Sequence, residues 1–326
     1  MLIRMSATDL NGQFALDPVR LSPFAGVAGI IIDGPIDQSR IEELGVLSCA
    51  VLSSDPGFVD LSQVDLILDS PHESSIQMNA RLHPVAFASA ARVVRLASQL
   101  PPLDALYLES VTYSLLQSGD EFARWLSDNR EKLWRAGRES SVVEVRRADE
   151  TLNVSLAEPE RHNAFSRFMR DELREALTLA VLDETITRVV LDGHGSNFSS
   201  GGDLAEFGTS KSPLDSHLVR TTDSVAQLLL TIGERIGTGL ECRVHGHNIG
   251  AGVELAAFAP RVVAAPGTTF RLPEVSMGLV PGAGGTVSVT RRIGRHRAAL
   301  MMLSGYTVDA ETALDWGLID EIGDRT

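Results

Sequence analysis

The sequence predicts an α/β protein, because strand-like and helix-like stretches alternate along its length. Apolar residues recur near helical spacing over residues 84–135, and a strand followed by a helix recurs several times after Ser141. Short apolar runs between polar breaks indicate earlier strands at residues 27–33, 46–52 and 64–68. These observations predict a layered α/β core preceded by an N-terminal extension.

Three units are expected along the chain. Residues 1–80 are expected to form a small α/β unit, with a helix over residues 37–44 between two of its strands. Residues 81–140 are expected to be helical, with a break at the two prolines of the segment. Residues 141–326 are expected to form the main core, since they carry all the motifs described below.

The predicted core starts with a hairpin over residues 142–145 and 152–156. Buried strands are expected at residues 187–191 and 240–244. One helical stripe of apolar side chains lies between these strands and is formed by Met169, Leu173, Ala176, Leu177 and Ala180.

The composition limits the function classes. The chain has 326 residues, 44% apolar and 22% charged, as soluble globular proteins do. Its net charge of −14 argues against a nucleic-acid partner, although a local patch could still hold a phosphate-bearing small ligand. No signal peptide and no membrane span is expected, because no apolar run approaches ~20 residues. With only Cys49 and Cys242, both expected to be buried, the cytoplasm is the expected compartment.

Two glycine-rich turns are the first candidate functional features. One is FSSGGDL at residues 198–204, and the other lies within HNIGAGVEL at residues 247–255. Glycines let the backbone turn sharply and expose its N–H groups, while Asp203 can cap the following turn. A single glycine turn usually only connects a strand to a helix. Two turns that face each other could hold one carbonyl oxygen and stabilise an oxyanion.

Two glutamates stand in glycine-rich frames and are the candidate acid and base. Glu254 lies in the second turn, and Glu274 lies in LPEV at residues 272–275, ahead of PGAGGT at residues 281–286. An acid–base reaction needs two proton-handling groups on opposite sides of one reacting bond. The alternative is that either glutamate is a surface charge on a helix. His245 and His247 lack a third ligand at metal spacing, so no metal site is expected.

Together these motifs resemble the crotonase (enoyl-CoA hydratase/isomerase) superfamily. The resemblance covers about residues 141–322 and rests on the order and spacing of its segments. The segments are PERHNA (159–164), FSSGGD (198–203), the Gly250 to Glu254 frame, Pro273-Glu274, PGAGGT (281–286) and AETALDWGLID (310–320).

The resemblance implies a ββα spiral core that binds an acyl-CoA thioester. It implies an oxyanion hole from the backbone N–H groups of Ser200 and Ala251, with Glu254 and Glu274 as the catalytic carboxylates. Gly282 falls where a backbone N–H helps to hold water. The substrate and CoA path would be lined from the same motifs, by His162, Ala164, Ser199, Gly201, Gly202, Asp203, Leu204, Gly250 and Pro273. No separate cofactor is implied, because coenzyme A belongs to the substrate, and a homotrimer or homohexamer is expected.

The chemistry expected from the resemblance is reversible addition of water across the C2=C3 bond of an enoyl thioester. Glu254 would orient or deprotonate water for attack at C3, and protonated Glu274 would deliver a proton to C2. Burial and mutual repulsion would raise the pKa of at least one of them. Alternatives within the superfamily are an enoyl-CoA isomerase or an acyl-CoA thioesterase. A non-catalytic acyl-CoA-binding protein is the alternative from another class.

The chain departs from the family pattern in two respects. Asn248 and Ala251 stand where many relatives carry a small apolar residue and a glycine, which leaves the acyl group open. Relatives usually continue past residue 319 with C-terminal helices, whereas residues 84–135 resemble those helices and precede the core. One hypothesis is a permuted arrangement in which these helices cover the active-site face. The other is an unrelated N-terminal domain.

Overall fold

A parallel sheet forms the start of the chain in the computed structural model, which describes residues 1–12, 16–37, 40, 43–44, 47–68, 71–129 and 141–324. Its strands, in spatial order, are β1 (Leu2–Ser6), β2 (Gly29–Asp33), β3 (Ala50–Ser53) and β4 (Leu66–Ile67). All neighbouring pairs run parallel. The short helix α1 (Ala7–Leu10) follows β1.

The structure confirms the three strands predicted here, with shorter bounds, and adds β1. The strand predicted over residues 46–52 begins only at Ala50. Leu47 and Cys49 are apolar because they fill a separate buried cluster around this sheet, and not because they belong to the strand. The helix predicted over residues 37–44 falls largely outside the described residues.

Among the described residues, four helices lead from this sheet to the core: α2 (Glu73–Leu82), α3 (Pro84–Ala97), α4 (Pro102–Gln117) and α5 (Asp120–Asn129). Pro84 and Pro102 stand at the first helical position, where a missing N–H costs no hydrogen bond. The helical segment predicted from residue 84 and its break at the prolines are therefore confirmed up to Asn129. Residues 130–140 lie outside the described residues.

The main sheet is mostly parallel. Its strands, in spatial order, are β13 (Glu321–Ile322), β10 (Arg261–Ala264), β8 (Leu240–Val244), β7 (Arg188–Gly193), β6 (Thr151–Leu156) and β5 (Val143–Ala148). Strands β5 and β6 form the predicted antiparallel hairpin, and the other pairs are parallel. A small sheet lies beside it, in the order β12 (Val308–Asp309), β11 (Thr269–Arg271) and β9 (His247–Ile249).

Helices connect these strands and complete an α/β layered core. They are α6 (Arg167–Leu182), α7 (Pro213–Thr222), α8 (Val225–Ile236), α9 (Ala251–Ala256), α10 (Gly285–Ile293), α11 (Arg295–Ser304) and α12 (Ala310–Trp316). The stripe predicted from Met169 to Ala180 is the buried face of α6. Because β9 leads directly into α9, the chain turns sharply at Gly250, where the candidate site lies.

The N-terminal helices pack on the core through one continuous apolar cluster. It contains Phe87 and Phe122 from the extension together with Val287 and Met301 from the core, all almost fully buried. Helices α3 and α4 contact α10, and α3 also contacts α11. The Asn79 amide donates to the Leu303 carbonyl across the same boundary at 2.9 Å. The permuted arrangement stays a prediction, but these helices do lie against the core.

Cys49 and Cys242 are both free and buried, as expected from the sequence. Among the described residues, no helix is both long enough and apolar enough to cross a bilayer.

Candidate active site

The two glycine-rich turns lie side by side. Ser199 pairs with Asn248 in an isolated parallel bridge, and the Ile249 N–H donates to the Ser199 carbonyl at 3.1 Å. Gly201 has a φ of +87°, and a Cβ atom there would lie 2.6 Å from the Ile249 carbonyl oxygen. Only glycine fits this close approach in this conformation. The predicted juxtaposition of the turns is therefore present.

The free donors in these turns differ from those implied by the family resemblance. The Ser200 N–H donates to the His162 carbonyl at 2.9 Å, so it cannot also serve an oxyanion, and its assignment is corrected here. Within the described residues, the N–H groups of Gly202 and Ala251 have no acceptor, and both residues line the cavity. Ala251 is the first residue of α9, where a helix leaves its N–H groups unsatisfied.

A cavity of about 530 Å³ opens between these donors and the N-terminal helices. Of the predicted site residues, six line it: Gly202, Asp203, Ala251, Glu254, Glu274 and Gly282. Phe165 and Ser166 line it where His162 and Ala164 were expected. The remaining predicted residues do not line it: Ser199, Ser200, Gly201, Leu204, Gly250 and Pro273. Asp203 accepts from the Ala205 N–H at 3.0 Å and from Arg161 at 2.6 Å, so it caps and fixes its turn as predicted.

Glu254 projects from α9 into the buried centre of the site. It is 2% exposed, and its Oε2 atom accepts from the Ala283 N–H at 2.7 Å and the Gly285 N–H at 2.9 Å. Its backbone carbonyl accepts from the Ser288 hydroxyl at 2.7 Å. The glycine-rich segment after Glu274 thus supplies the donors that orient this carboxylate. The alternative of a surface charge is excluded for Glu254.

Glu274 is the first residue of a short helical turn, and its carboxyl group lies against Gly250 of the second glycine turn. A Cβ atom on Gly250, which has a φ of +49°, would lie 2.5 Å from the Glu274 Oε1 atom. The Oε2 atom is buried and has no hydrogen-bond partner among the described residues. A buried polar atom normally has a hydrogen-bond partner. Because Glu274 lines the cavity, this oxygen atom is available to a molecule bound there.

A third glutamate, Glu109 of α4, belongs to the site although no sequence motif marks it. It is 2% exposed and lines the same cavity. Its Oε1 atom accepts from the Gly284 N–H at 2.7 Å, and its Oε2 atom accepts from the Thr286 N–H at 2.9 Å and the hydroxyl at 2.6 Å. The available signal is a carboxylate at helical spacing from Ala105, Leu106 and Tyr113 on the buried face of α4, and no motif accompanies it.

Tyr113 and Arg220 complete this side of the site. A Cβ atom on Gly282 would lie 2.4 Å from the Tyr113 ring, so the ring packs directly on this glycine. The Arg220 guanidinium lies over the same ring, 3.7 Å from its centroid, and its Nε atom donates to the Gly282 carbonyl at 3.0 Å. A cation–π contact of this kind holds the arginine beside the carboxylates.

The three carboxyl groups favour their neutral forms. Burial, opposed by the N–H bonds of Ala283 and Gly285, raises the pKa of Glu254 to about 7. Burial and then the Glu254 charge raise the pKa of Glu109 to about 8. Burial followed by the charges of Glu254 and Glu109 raises the pKa of Glu274 well above its ordinary value. Two N–H groups stabilise the ionised form of Glu254, whereas the Glu274 Oε2 atom has no donor among the described residues, so the site favours ionisation of Glu254 before Glu274.

Residues 147–325 match the sequence model of the family described as enoyl-CoA hydratase/isomerase. The chain belongs to this family. That result and the parallel α/β core confirm the resemblance found in the motifs. The small sheet at residues 2–67 lies outside the matched region.

Similar proteins include both hydratases and isomerases of the enoyl-CoA hydratase/isomerase family. A 2,3-dehydroadipyl-CoA hydratase of Escherichia coli is 32% identical over 56% of this chain and 69% of its own length. A 1,2-epoxyphenylacetyl-CoA isomerase of the same organism is 31% identical over 53% of this chain and 66% of its own length. An enoyl-CoA hydratase subunit I from Geobacillus kaustophilus superimposes with a TM-score of 0.51, at 29% identity over 57% of this chain and 70% of that one.

Proposed function

We propose that this protein is an acyl-CoA hydratase/dehydratase that reversibly adds water across the C2=C3 bond of an enoyl thioester. The observation that carries the proposal is one cavity with two unengaged backbone N–H groups, on Gly202 and Ala251, and two carboxyl groups, of the buried Glu254 and the half-buried Glu274. A thioester carbonyl held by two such donors gains negative charge on its oxygen at low energetic cost. Family membership supports the choice of an acyl-CoA thioester.

Water addition follows from the different proton affinities of the two carboxyl groups. Glu254, which ionises first, takes a proton from water as the water oxygen attacks C3. The electrons of the double bond move towards the thioester oxygen, where the N–H groups of Gly202 and Ala251 stabilise them. Glu274, which keeps its proton, delivers it to C2. Dehydration reverses these steps, and the proton balance requires no redox or metal chemistry.

The test is incubation with crotonyl-CoA in ¹⁸O-labelled water, followed by mass spectrometry of the thioester. We expect the mass gain of one labelled water, and loss of that product in Glu254→Gln and Glu274→Gln. Glu234→Gln, on the exposed part of α8, is the matched control that should turn over normally. Unlabelled thioester returned by the wild type would refute the assignment, as would normal turnover in both active-site variants. Release of free CoA would indicate a thioesterase.

An isomerase is the second candidate, because one oxygen of Glu274 is free while the Glu254 Oε2 atom is held by two N–H groups. A single carboxyl group can move a proton between C2 and C4 of a 3-enoyl thioester. The same site would then convert a 3-enoyl-CoA to its 2-enoyl isomer without taking up labelled oxygen. Conversion that survives Glu254→Gln but not Glu274→Gln would favour this reading.

We further propose that the protein works in the cytoplasm as a homotrimer or homohexamer. An apolar stripe on α4 supports self-association, because its members are exposed and stand four residues apart: Leu103, Tyr107, Val111 and Leu115. A continuous exposed apolar face of this kind is typical of an interaction surface. The two free cysteines support a reducing compartment.

A further inference from the structure

The turn between Gly282 and α10 is held between two carboxylates that come from distant parts of the chain. Its successive N–H groups alternate between them: Ala283 and Gly285 donate to Glu254, whereas Gly284 and Thr286 donate to Glu109. Neither carboxylate can move without disturbing donors that flank those of the other. The position of Glu254 is therefore mechanically coupled to that of Glu109.

A second carboxylate is an unusual acceptor for the N–H groups at the start of α10. The start of a helix is ordinarily capped by one short neutral or acidic side chain. A buried carboxyl group beside another carboxylate is costly, because both burial and like charge disfavour its ionised form. Glu109 is nevertheless bound through both oxygen atoms and lines the substrate cavity. A cap alone does not require a group with these properties.

The ionisable groups nearest to Glu109 come from the core, from α4 itself and from α7. Glu254 and Glu274 face it from the core, and Tyr113 lies one turn further along α4. Helix α7 contributes Arg220 and His217, the latter bonded to the Ser110 hydroxyl at 2.9 Å.

The other helices packed against α4 direct their ionisable groups elsewhere. Glu121 of α5 accepts from the N–H groups of Val85 and Ala86, and Arg95 of α3 pairs with Asp65. Arg292 of α10 pairs with Asp320. The acid–base pair is therefore the main electrostatic partner of Glu109.

We infer that Glu109 is a positioning residue for the acid–base pair: it holds the Ala283 to Thr286 turn that orients Glu254, and it places a third ionisable carboxyl group in the cavity that Glu274 also lines. This inference rests on the proposed hydration at the same site. It implies that the N-terminal helix α4 completes the active site, so the reaction depends on a residue outside the region that matches the family.

The test compares Glu109→Gln with Asp104→Asn, which removes an exposed charge from the same helix. For hydration of crotonyl-CoA, we expect Glu109→Gln to lower kcat about tenfold, with KM changed less than about threefold, because orientation is disturbed more than binding. Without the Glu109 charge, the alkaline limb of the pH profile should move about one pH unit lower. Asp104→Asn should superimpose on the wild type.

A second variant covers the case in which Glu109→Gln does not fold. Thr286→Val removes only the hydroxyl donor to Glu109 and preserves the shape of a side chain that is fully buried. It should shift the alkaline limb in the same direction by a smaller amount. A pH profile unchanged in either folded variant, with only thermal stability lost, would overturn the inference and leave Glu109 as a structural cap.

A readout that needs no turnover separates this inference from the proposed function. Titration of the ¹³C-labelled glutamate carboxyl groups by NMR should give a lower midpoint for Glu274 in Glu109→Gln than in the wild type. If the wild type does not hydrate any thioester but this midpoint moves, the proposed function fails and the influence of Glu109 stands. An unmoved midpoint refutes the inference whatever the activity.

Discussion

Glu109 and Glu254 accept hydrogen bonds from alternate N–H groups of one turn, at distances of 2.7 to 2.9 Å. One carboxylate comes from an N-terminal helix and the other from the helix that follows the second glycine turn. The family-matching region therefore supplies the proposed acid and base, while the extension supplies part of their support.

The Glu274→Gln variant should lose hydration activity, and its stability relative to the wild type should increase as the pH rises. The pKa of Glu274 is raised in the folded protein, so its ionisation disfavours folding at any pH above the unfolded value of 4.5. Glutamine carries no such penalty, and the Oε2 atom that it replaces has no partner. Thermal unfolding at several pH values should show a difference in Tm that favours the variant increasingly from acid to alkaline pH. A constant difference would contradict the burial of an ionisable group here.

The hydration rate should be pH-dependent near neutrality. The proposed base must be ionised, and burial raises the pKa of Glu254 to about 7, so kcat/KM should fall as the pH drops through this value. The rate should fall again at alkaline pH, when Glu274 loses the proton that it must deliver. Steady-state kinetics over a pH series, with stability checked at each pH, will show this. A rate that stays flat down to the ordinary pKa of a glutamate would contradict the assignment of Glu254.

The Gly250→Ala variant should damage both stability and catalysis. Its new Cβ atom would lie 2.5 Å from the Glu274 Oε1 atom, in a backbone conformation with a φ of +49°. We expect a loss of at least about 2 kcal/mol in the free energy of unfolding, together with displacement of the Glu274 carboxyl group.

Gly267→Ala is the matched control for Gly250→Ala. Its φ is +77°, but a Cβ atom there would meet no atom within 4 Å. It should lose only about 1 kcal/mol, with normal turnover. Equal losses in the two variants, measured by chemical denaturation, would show that the contact with Glu274 is unimportant.

Removing residues 1–140 should leave no stable active protein. The deletion would expose the core surface now covered by Phe87 and Phe122 and would remove Glu109 and Tyr113 from the cavity. Truncating even one of the buried phenylalanines, as in Phe122→Ala, should cost about 3–5 kcal/mol. The readouts are soluble yield, cooperative unfolding and hydration rate. A stable and fully active remainder would count against the permuted arrangement.

The Leu115→Asp variant should lower the molar mass of the assembly. Leu115 is 69% exposed on the apolar stripe of α4, and a carboxylate at that position would be desolvated in any subunit interface. Light scattering after gel filtration should show smaller species than for the wild type. Leu182→Asp, at the exposed end of α6, is the control. An unchanged mass in the first variant would place the interface elsewhere.

The sequence alone determined the fold class and most of the local elements, because periodicity and turn residues act over short distances. The stripe at Met169 marks the buried face of α6, and the Asp203 turn has its predicted cap. The glycine turns and their two glutamates were recognisable because close backbone approach requires glycine at particular positions.

Tertiary structure decided which groups meet in the cavity. Ser200 was assigned as a donor from its motif, but the fold brings the His162 carbonyl within 2.9 Å and engages its N–H, leaving Gly202 free. Glu109 carries no motif, and only the packing of α4 on α10 places its carboxylate at Gly284 and Thr286. The physical reason is that a hydrogen-bond partner and a buried charge depend on three-dimensional proximity, which residue types and local spacing do not encode.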